Sequence, residues 1–583
     1  MDVVIRHGTV FDGHNVEPRE VDIGIRHGII VKLGEVPETG TEEIDARGKI
    51  VTPGFVDIHT HYDGQAIWSE RLSPSSSNGV TTAVMGSCGV GFAPCRPEHR
   101  DLLVAVTEGV EDIPEAVLAE GLAWDWETYP EFLDALAARR HDIDIASLLP
   151  HMPLRVYAMG KRGADREPAT PDDLARMYQL TREAIEAGAI GVSTTQLFTH
   201  RTRNGDAVPT FGVAEQELHV IASALKDAGG GIWQASAIVD MASAAAMDDL
   251  AMFHRVAASG GASGTFTLGQ ANWRQMLDQV AAMNAGGADI TAQVYPRRFG
   301  LYVNLDLTIH PFCLCPSFRA IAHLPMPQKL ARLRDPQFRA KLLAEELVDI
   351  GQPFHLIGRN FDRMYPVGAV QDYEPTADKS IAAMAQALNV DPLSLAYDLL
   401  LENDGQTMFF LQYTNYEDRS LDFMPELLRD PHSVIGLADG GAHYGMISDA
   451  TYPTFLLSYW TRDRAGERLG IGEAVRMLTS EPATTARLGD RGRLALGYKA
   501  DINIIDYDKL ALATPSIIRD LPAGGKRIDQ KTSGYAATIV SGQVIRMDDE
   551  ATSALPGQLI RGSQKAPGPD RSMARAAQKG DGR

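Results

Sequence analysis

The sequence predicts an α/β fold, a (β/α)8 TIM-like barrel accompanied by a small β domain. Three observations favour this fold. Eight short apolar segments follow one another through the middle of the chain. Amphipathic helical stretches separate several of them, which is typical of βα units in a parallel sheet. Both ends of the chain show instead the alternating pattern of short strands joined by glycine-rich turns.

The β domain is predicted from the two ends of the chain together. The first 54 residues contain three alternating segments, DVVIRHGTVF, DIGIRHGIIVKLG and EEIDARGKIVTPG. A similar pattern returns after about Arg487 in GRLALGYKADINIID and YAATIVSGQVIRM. Because both ends carry the same strand-and-turn pattern, we expect residues 1–54 and 485–550 to form one small domain that brackets the barrel.

The barrel is predicted from eight candidate strands within residues 55–484. Helical segments such as PDDLARMYQLTREAIEAG and EQELHVIASALKDAG lie between several of them. Eight is the number of strands that a closed barrel needs. The candidate strands are GFVDIH, TTAVMG, IDIASLL, AIGVSTT, GIWQAS, GTFTL, ITAQVY and VIGLAD.

Two further segments stand apart from the barrel pattern. The interval of about 297–431 is too long for one βα connection and contains helical runs such as PQFRAKLLAEELVDIG. It predicts an insertion after the seventh strand, where barrels often carry lids and substrate pockets. Residues 562–583 lack apolar periodicity and are rich in glycine, proline and basic residues, which predicts a disordered tail.

Composition and charge limit the classes of partner. Hydrophobic residues make up 44% and charged residues 22% of the chain, the range of globular proteins. The formal net charge of −21 repels phosphate backbones and anionic lipids, so we expect a small-molecule substrate and neither nucleic acid nor membrane as partner. Only four cysteines and no secretory leader or long apolar run are present, which favours a cytoplasmic protein with reduced thiols. A homo-oligomer is compatible with the sequence.

Two histidines follow the first candidate strand of the barrel, in PGFVDIHTHYDG. His59 and His61 are two positions apart, so both imidazoles point to the same face at the end of the strand where barrel enzymes have their active sites. Neutral imidazoles suit zinc or a similar transition metal. The pair therefore predicts metal ligands, and Asp63, close behind, is a candidate for orienting one of them.

Two other strand ends carry candidate ligands. Asp439 follows the eighth strand in VIGLADGGAH, where a carboxylate can ligate a metal and act as general base; the alternative is a cap on the following turn. Cys88 follows the second strand in TTAVMGSCGVGF, where a thiolate would bind zinc well. The alternative for Cys88 is a small buried apolar residue, and Cys95, Cys313 and Cys315 favour that role.

Further polar residues are candidates for the surroundings of the site. His151 and His200 each follow a candidate strand, and His443 lies just beyond Asp439. Arginine binds carboxylates through two parallel hydrogen bonds, so arginines near the strand ends are candidates for binding a substrate carboxylate. These arginines are Arg201, Arg203, Arg297 and Arg298.

Taken together, PGFVDIHTHYDGQ, GVTTAVMGSCGVGFAPC, the DGGAH segment and GRLALGYKADINIID resemble the amidohydrolase superfamily. The cysteine motif is similar to that of the D-aminoacylase (N-acyl-D-amino-acid deacylase) branch, in which a cysteine on the second strand ligates metal. The resemblance extends from the first strands to about residue 550 and implies a (β/α)8 barrel with a small β-sandwich built from both chain ends.

The resemblance also implies a metal centre and a mechanism. His59, His61 and Asp439 would hold zinc, as one or two ions, with Cys88 as a further ligand. Asp439 would activate a water molecule that attacks an amide carbonyl, and would later return the proton to the leaving nitrogen.

The sequence departs from this family at several positions. D-aminoacylases carry a metal-ligating histidine on the fifth strand and another on the sixth. This chain has Ser236 or Gln234 at the first position and Leu268 or Gln270 at the second. The family's Tyr-Pro-Tyr after the seventh strand becomes Tyr295-Pro296-Arg297. His310, in the insertion, is a candidate replacement ligand.

Several functions stay open on this basis. The first is hydrolysis of the amide bond of an N-acyl amino acid or a similar small amide. The second is hydrolysis of a cyclic amide, a lactone or another ester. The third is a catalytically inactive barrel that acts as a binding protein, since two family ligands are missing. A nucleobase deaminase is a weaker alternative, because those enzymes also need the fifth-strand histidine.

Overall fold

A parallel sheet of eight strands forms the centre of the molecule. In the computed structural model, which describes residues 1–14, 17–236 and 246–568, these strands are hydrogen-bonded in chain order. Several are buried along their whole length, as expected for a parallel sheet that is covered on both faces. The predicted parallel sheet of eight strands is confirmed. The strands are Phe55–Asp57, Val80–Met85, Asp144–Pro150, Gly191–Thr195, Ile232–Ser236, Ser263–Thr267, Ile290–Val294 and Ser433–Ile435.

The two edges of this sheet approach each other beyond the first and eighth strands. Thr60 forms a parallel bridge with Gly440. The His61 N–H donates to the Gly440 carbonyl at 2.8 Å, and the Asp439 N–H donates to the His59 carbonyl at 3.2 Å. These bonds curl the sheet and bring the carboxyl ends of its first and last strands side by side, where barrel enzymes have their active sites.

A second sheet joins the two ends of the chain. The C-terminal strand Ile502–Ile505 pairs antiparallel with Ile50–Pro53 from the N-terminal region, and both lie in one nine-stranded sheet. The sandwich arrangement of this unit stays a prediction. The other strands of the sheet are Val3–Val10, Arg19–Arg26, Ile29–Gly34, Glu42–Asp45, Tyr535–Val540, Gln543–Met547 and Glu550–Ala551. Two short hairpin-like pairs lie nearby, Ala511–Leu512 with Thr532–Ser533 and Ser516–Ile518 with Arg527–Asp529.

Helices connect the barrel strands, as the sequence pattern predicts. The helix Pro171–Ala187 begins at Thr170, whose hydroxyl accepts a hydrogen bond from the Asp173 N–H, and ends at Gly188 with φ of 119°. The α-helices before and after the insertion are Gln65–Trp68, Arg100–Glu111, Glu115–Gly121, Tyr129–Ala137, His151–Met159, Lys161–Ala164, Pro171–Ala187, Glu215–Asp227, Ala246–Ser259, Trp273–Ala285, Tyr452–Phe455, Ile471–Leu478 and Ser480–Thr485, and the helix Met424–Arg429 ends the insertion. A π-helix spans Leu456–Asp463.

The segment between the seventh and eighth barrel strands folds around its own small sheet. Its three antiparallel strands are Phe299–Val303, Met364–Pro366 and Phe409–Thr414, with the last in the middle. A separate hydrophobic cluster packs this sheet against its helices. These helices are Pro316–Arg319, Met326–Leu333, Pro336–Ala344, Pro353–Leu356, Ile381–Leu388 and Pro392–Leu400.

The chain returns to the barrel after the terminal sheet. The Gly562 N–H donates to the Gly188 carbonyl at 2.8 Å, and the Gln564 N–H donates to the Arg487 carbonyl at 2.9 Å. Backbone hydrogen bonds therefore hold the first residues of the predicted tail although they lack apolar periodicity, and the disorder of the tail stays a prediction. Residues 569–583 lie outside the described residues. Among the helices described, none is both long and apolar enough to cross a membrane.

Candidate metal centre

The predicted ligands His59 and His61 lie just beyond the first barrel strand. Both side chains are buried, and His59 is only 1% exposed. Their ring centroids are 5.6 Å apart. The Nδ1 atom of His59 lies 2.6 Å from Oε1 of Gln293 on the seventh strand, which leaves Nε2 to face the centre.

Cys88 reaches the same centre from the turn after the second strand. Its Sγ lies 3.3 Å from His59 Nε2. Ligand atoms of His59, His61 and Cys88 all lie within 4.8 Å of one another. Burial raises the pKa of the Cys88 thiol, but the charges and hydrogen bonds of the two histidines outweigh burial and lower this pKa to about 6. The thiol is therefore ready to ionise and to bind a metal.

Asp439 completes the cluster from the end of the eighth strand. Its Oδ1 lies 3.3 Å from His59 Nε2 and 3.4 Å from His61 Nε2. Burial raises the pKa of Asp439, but its close contact with His61 and the charges of both histidines hold it well below its usual range. The Asp439 side chain is 12% exposed, against 1% for His59, so it forms the more accessible side of the cluster.

These donors fit a zinc-type metal ion. Two imidazoles, a thiol and a carboxylate are the ligand types and the number of ligands that a four-coordinate zinc takes. Within the described residues, neither ring nitrogen of the buried His61 has a hydrogen-bond partner. Buried polar atoms are nearly always paired, so the Nε2 atom of His61, which faces the cluster, is placed for a ligand that protein atoms do not supply.

The residues near the missing fifth-strand histidine form a neutral network with Cys88. Ser236 Oγ accepts a hydrogen bond from the Cys88 thiol at 3.0 Å and another from Gln234 Nε2 at 2.9 Å. The Cys88 N–H donates to Gln234 Oε1 at 3.2 Å. After the sixth strand, Leu268 is buried, and Gln270 hydrogen-bonds to residues of the insertion. None of these four side chains offers an imidazole.

One buried carboxylate beside the centre escaped the sequence reasoning. Glu111 ends the helix Arg100–Glu111. Its Oε1 lies 3.4 Å from His61 Nδ1, and its Oε2 lies 3.4 Å from His443 Nε2. Burial raises the pKa of Glu111 to about 8. The sequence offers one local sign of a special role for Glu111. An acidic residue in the last turn of a helix is unfavourable, because its charge opposes the helix dipole.

Three predicted neighbours lie around the centre. Asp63 accepts a hydrogen bond from the Gly86 N–H at 2.9 Å and so supports the turn that carries Cys88. The His443 ring lies 6.3 Å from that of His61. Burial and the nearby charges of His443 and His61 lower the pKa of His200 to about 3. The roles of these residues stay predictions.

His151 and His310 do not join the centre. Both ring nitrogens of His151 are engaged, one with Thr194 Oγ1 and one with Glu217 Oε1, each at 2.9 Å. The His310 ring packs 4.3 Å from that of Phe318 in the insertion. These contacts are those of structural residues, so neither the place of His151 at the mouth nor the use of His310 as a ligand is supported.

The arginines predicted to bind a carboxylate have partners within the protein. Two of them form ion pairs: Arg297 with Asp449 at 2.7 Å and Arg203 with Glu108 at 3.3 Å. The other two lie over aromatic rings: Arg201 is 4.2 Å from the Phe198 ring centre, and Arg298 is 4.3 Å from the Phe410 ring centre.

The remaining thiols are apart from the metal centre, and burial raises the pKa of Cys95, Cys313 and Cys315.

Known proteins share this sequence pattern and fold. The model of the Amidohydrolase family matches residues 42–546. N-acyl-D-aspartate deacylase of Alcaligenes xylosoxydans xylosoxydans is 26% identical over 574 residues, which cover 96% of this chain and 95% of that protein. D-aminoacylase, described with a binuclear metal center, superposes with a TM-score of 0.63 at 20% identity, covering 96% of this chain and 99% of that chain. N-acyl-D-glutamate deacylase from Bordetella bronchiseptica, complexed with zinc and a phosphonate inhibitor, gives a TM-score of 0.62 at 20% identity with the same coverage.

The family match extends over most of the sequence, and the two structural matches agree with the barrel described above. The predicted resemblance is thereby confirmed. This chain belongs to the amidohydrolase family, in a D-aminoacylase-like branch.

Proposed function

We propose that this chain hydrolyses the amide bond of an N-acyl amino acid or a similar small amide in a metal-dependent reaction. The observation that carries the proposal is the convergence of His59, His61, Cys88 and Asp439 at the carboxyl edge of the barrel sheet. The similar proteins named above are deacylases of N-acyl-D-aspartate and N-acyl-D-glutamate, which supports an acyl amino acid as the substrate class.

The four converging residues would hold a zinc ion. When bound, zinc supplies a Lewis acid that polarises a carbonyl and acidifies water. Gln293 orients His59 through its Nδ1 atom, and Ser236 holds the Cys88 thiol. Such outer contacts fix the ring plane and the tautomer of a ligand before the metal arrives.

Asp439 is proposed as the general base and then the general acid. Neighbouring histidines lower the pKa of its carboxyl, so the group is ionised at neutral pH and can accept a proton. It would accept the proton of the attacking water and donate it to the departing nitrogen, so that the amine leaves neutral. Its greater exposure supports this role, because substrate would approach from the more accessible side of the cluster.

A single ion is proposed rather than two. The four donors suffice for one ion, which can expand to five-coordination when water binds. The nearby side chains of Ser236 and Gln234 are neutral and already hydrogen-bonded to Cys88, so these two positions offer no imidazole for a second ion. The D-aminoacylase structure is described with a binuclear center, so the number of ions would distinguish this chain from that relative.

Elemental analysis of the purified protein tests the metal site. We expect about one zinc per chain, as the count of four donors requires. The double variant His59→Ala, His61→Ala should lose it, while His323→Ala, which removes an exposed histidine of the insertion, should keep it. Two ions per chain would contradict the single-ion proposal. No metal even after reconstitution would contradict the whole proposal and favour the binding protein.

Substitution of the proposed base tests the chemistry. Asp439→Asn should lower kcat/KM by about 10³-fold, because an amide cannot accept the proton and general acid–base catalysis contributes on this scale. Asparagine also tolerates the left-handed backbone at this position, where φ is 48°. The assay panel pairs N-acyl-D- and N-acyl-L-amino acids with cyclic amides and lactones. If the protein hydrolyses only the cyclic amides or lactones, the proposed linear amide is not its substrate. If zinc-loaded protein hydrolyses none of these compounds, the barrel is catalytically inactive.

A further inference from the structure

The helix Arg100–Glu111 ends with a carboxylate in an unfavourable place. Glu111 is 1% exposed, and burying a carboxylate destabilises a fold unless the group is paired. It also lies at the C-terminal end of a helix, where the dipole disfavours negative charge. Burial of the charge and the helix dipole therefore both disfavour an ionised glutamate here, so its contacts must explain it.

The contacts of Glu111 are with two histidines of the metal centre and its border. Its Oε1 lies 3.4 Å from His61 Nδ1, and its Oε2 lies 3.4 Å from His443 Nε2. Within the described part of the chain, neither carboxylate oxygen makes a hydrogen bond of ordinary geometry. The backbone adds a third link, because the His443 N–H donates to the Glu111 carbonyl at 2.5 Å.

The two sides of the His61 ring face different groups. Nε2 faces Asp439, at 3.4 Å, and Nδ1 faces Glu111. An imidazole that binds a metal through Nε2 carries its hydrogen on Nδ1, and that N–H needs an acceptor in a buried site. The carboxylate of Glu111 lies beside Nδ1 and can accept this hydrogen bond. His59 differs, because its Nδ1 faces the neutral amide of Gln293.

We infer that Glu111 is a positioning residue of the metal centre, which accepts the Nδ1–H hydrogen bond of His61 and ties His443 to the same carboxylate. This inference rests on the proposed function, because it assigns Glu111 to the metal site of that reaction. A carboxylate acceptor makes a histidine a stronger ligand than an amide acceptor does. Glu111 thus orients His61, fixes its tautomer and strengthens its bond to the metal.

The neighbouring residue holds Glu111 in position. Asp112 has φ of 51° and ends the helix. Its carboxylate accepts hydrogen bonds from Thr308 Oγ1 and from the Gly445 N–H, each at 2.9 Å. The end of the helix is therefore anchored to the insertion and to the loop that carries His443. An aspartate at position 111 is shorter by one methylene. It cannot reach His61 unless the end of the helix moves and these hydrogen bonds of Asp112 break.

Zinc affinity, measured by chelator competition on metal-free protein, tests the inference. Removal of an outer carboxylate partner typically weakens metal binding 10- to 100-fold, so Glu111→Gln should bind zinc about 10-fold or more weakly than the wild type. Glu111→Asp keeps the charge but not the reach, and should fall between the two. Glu108→Gln, one turn earlier on the same helix and 29% exposed, is the matched control and should bind as the wild type does.

A spectroscopic measurement separates positioning from a general loss of stability. In cobalt-substituted protein, the absorption bands of the metal should shift in Glu111→Gln and stay unchanged in Glu108→Gln. Equal zinc affinity and equal spectra for Glu111→Gln and the wild type would overturn the inference, and so would equal weakening in both glutamine variants. If the wild type itself binds no zinc, the proposed function fails, and this inference fails with it.

Discussion

Three residues at the metal centre and its border share a strained backbone conformation. Cys88, Asp439 and His443 have φ values of 57°, 48° and 50°. A residue with a side chain is disfavoured in this left-handed region by about 1–2 kcal/mol. Such strain persists only where the surrounding fold holds it, and it is concentrated at functional sites. Here the backbone strain occurs at three residues whose polar side chains are directed toward the candidate metal centre.

The backbone strain at His443 predicts which of two variants at this position is the more stable. His443→Gly and His443→Ala both lose the imidazole, but only alanine keeps the strained conformation. We expect the glycine variant to be more stable by about 1 kcal/mol, measured by denaturant unfolding of metal-free protein. The site is 23% exposed, so the alanine methyl gains little from burial. An alanine variant at least as stable as the glycine variant would show that the backbone is not strained there.

At the scale of helices and strands, the sequence predicts what is local. Each barrel strand is an apolar run with its own boundaries, and the histidine pair directly follows one of them. Glu111 could not be predicted, because its two partners lie far away in the sequence and a helix C-terminus is where a carboxylate is least expected. His151 shows the opposite case. It follows a strand, as the proposed ligands do, but Thr194 on the next strand and Glu217 on a neighbouring helix engage its ring nitrogens.

Two helices are joined by a buried ionic network around Glu217. His151 and Arg155, on the helix His151–Met159, both contact this carboxylate on the helix Glu215–Asp227. Glu217→Gln leaves Arg155 buried without its counter-charge, and we expect a loss of about 3 kcal/mol of unfolding free energy at neutral pH. Glu215→Gln, on the surface of the same helix, should change stability by less than about 1 kcal/mol.

The pH dependence of this loss has a definite sign. Burial raises the pKa of Glu217, but the hydrogen bonds and charges of His151 and Arg155 outweigh it and lower the pKa below its ordinary value of 4.5. A lowered pKa in the folded state gives stability that is complete above the ordinary value and is lost as the pH falls below it. The difference between wild type and Glu217→Gln should therefore shrink in acid. A difference that grows below pH 4.5 would contradict this reading.

At the scale of the whole molecule, the segment that follows the terminal sheet, residues 557–560, pairs with the barrel. The Ile145 N–H, on the third strand, donates to the Gln558 carbonyl at 3.0 Å, and the Ile560 N–H donates back to Ile145 at 2.7 Å. The Gly557 N–H donates to the His141 carbonyl at 2.8 Å. Composition could not predict these bonds, because backbone pairing needs no apolar side chains.

Truncation measures the contribution of this segment. A chain that ends at Ala551 loses these backbone bonds and the buried side chain of Ile560, which together stabilise by about 2–4 kcal/mol. Its thermal unfolding midpoint should fall by several degrees relative to a chain that ends at Gly568. Equal midpoints for the two chains would show that the returning segment adds nothing to the stability of the barrel.

The bonds between the first and last barrel strands have a consequence for the metal. Because the proposed ligands come from both edges of the sheet, an ion bound to them would act as a clasp across the seam of the barrel. At a free zinc concentration 100 times the Kd, such binding stabilises the folded state by about 2.7 kcal/mol. Chelation should lower the unfolding midpoint and speed hydrogen exchange at the His61 and Asp439 amides, while the strand Gly191–Thr195, opposite the seam, keeps its protection. Metal content would then decide how firmly the barrel is closed.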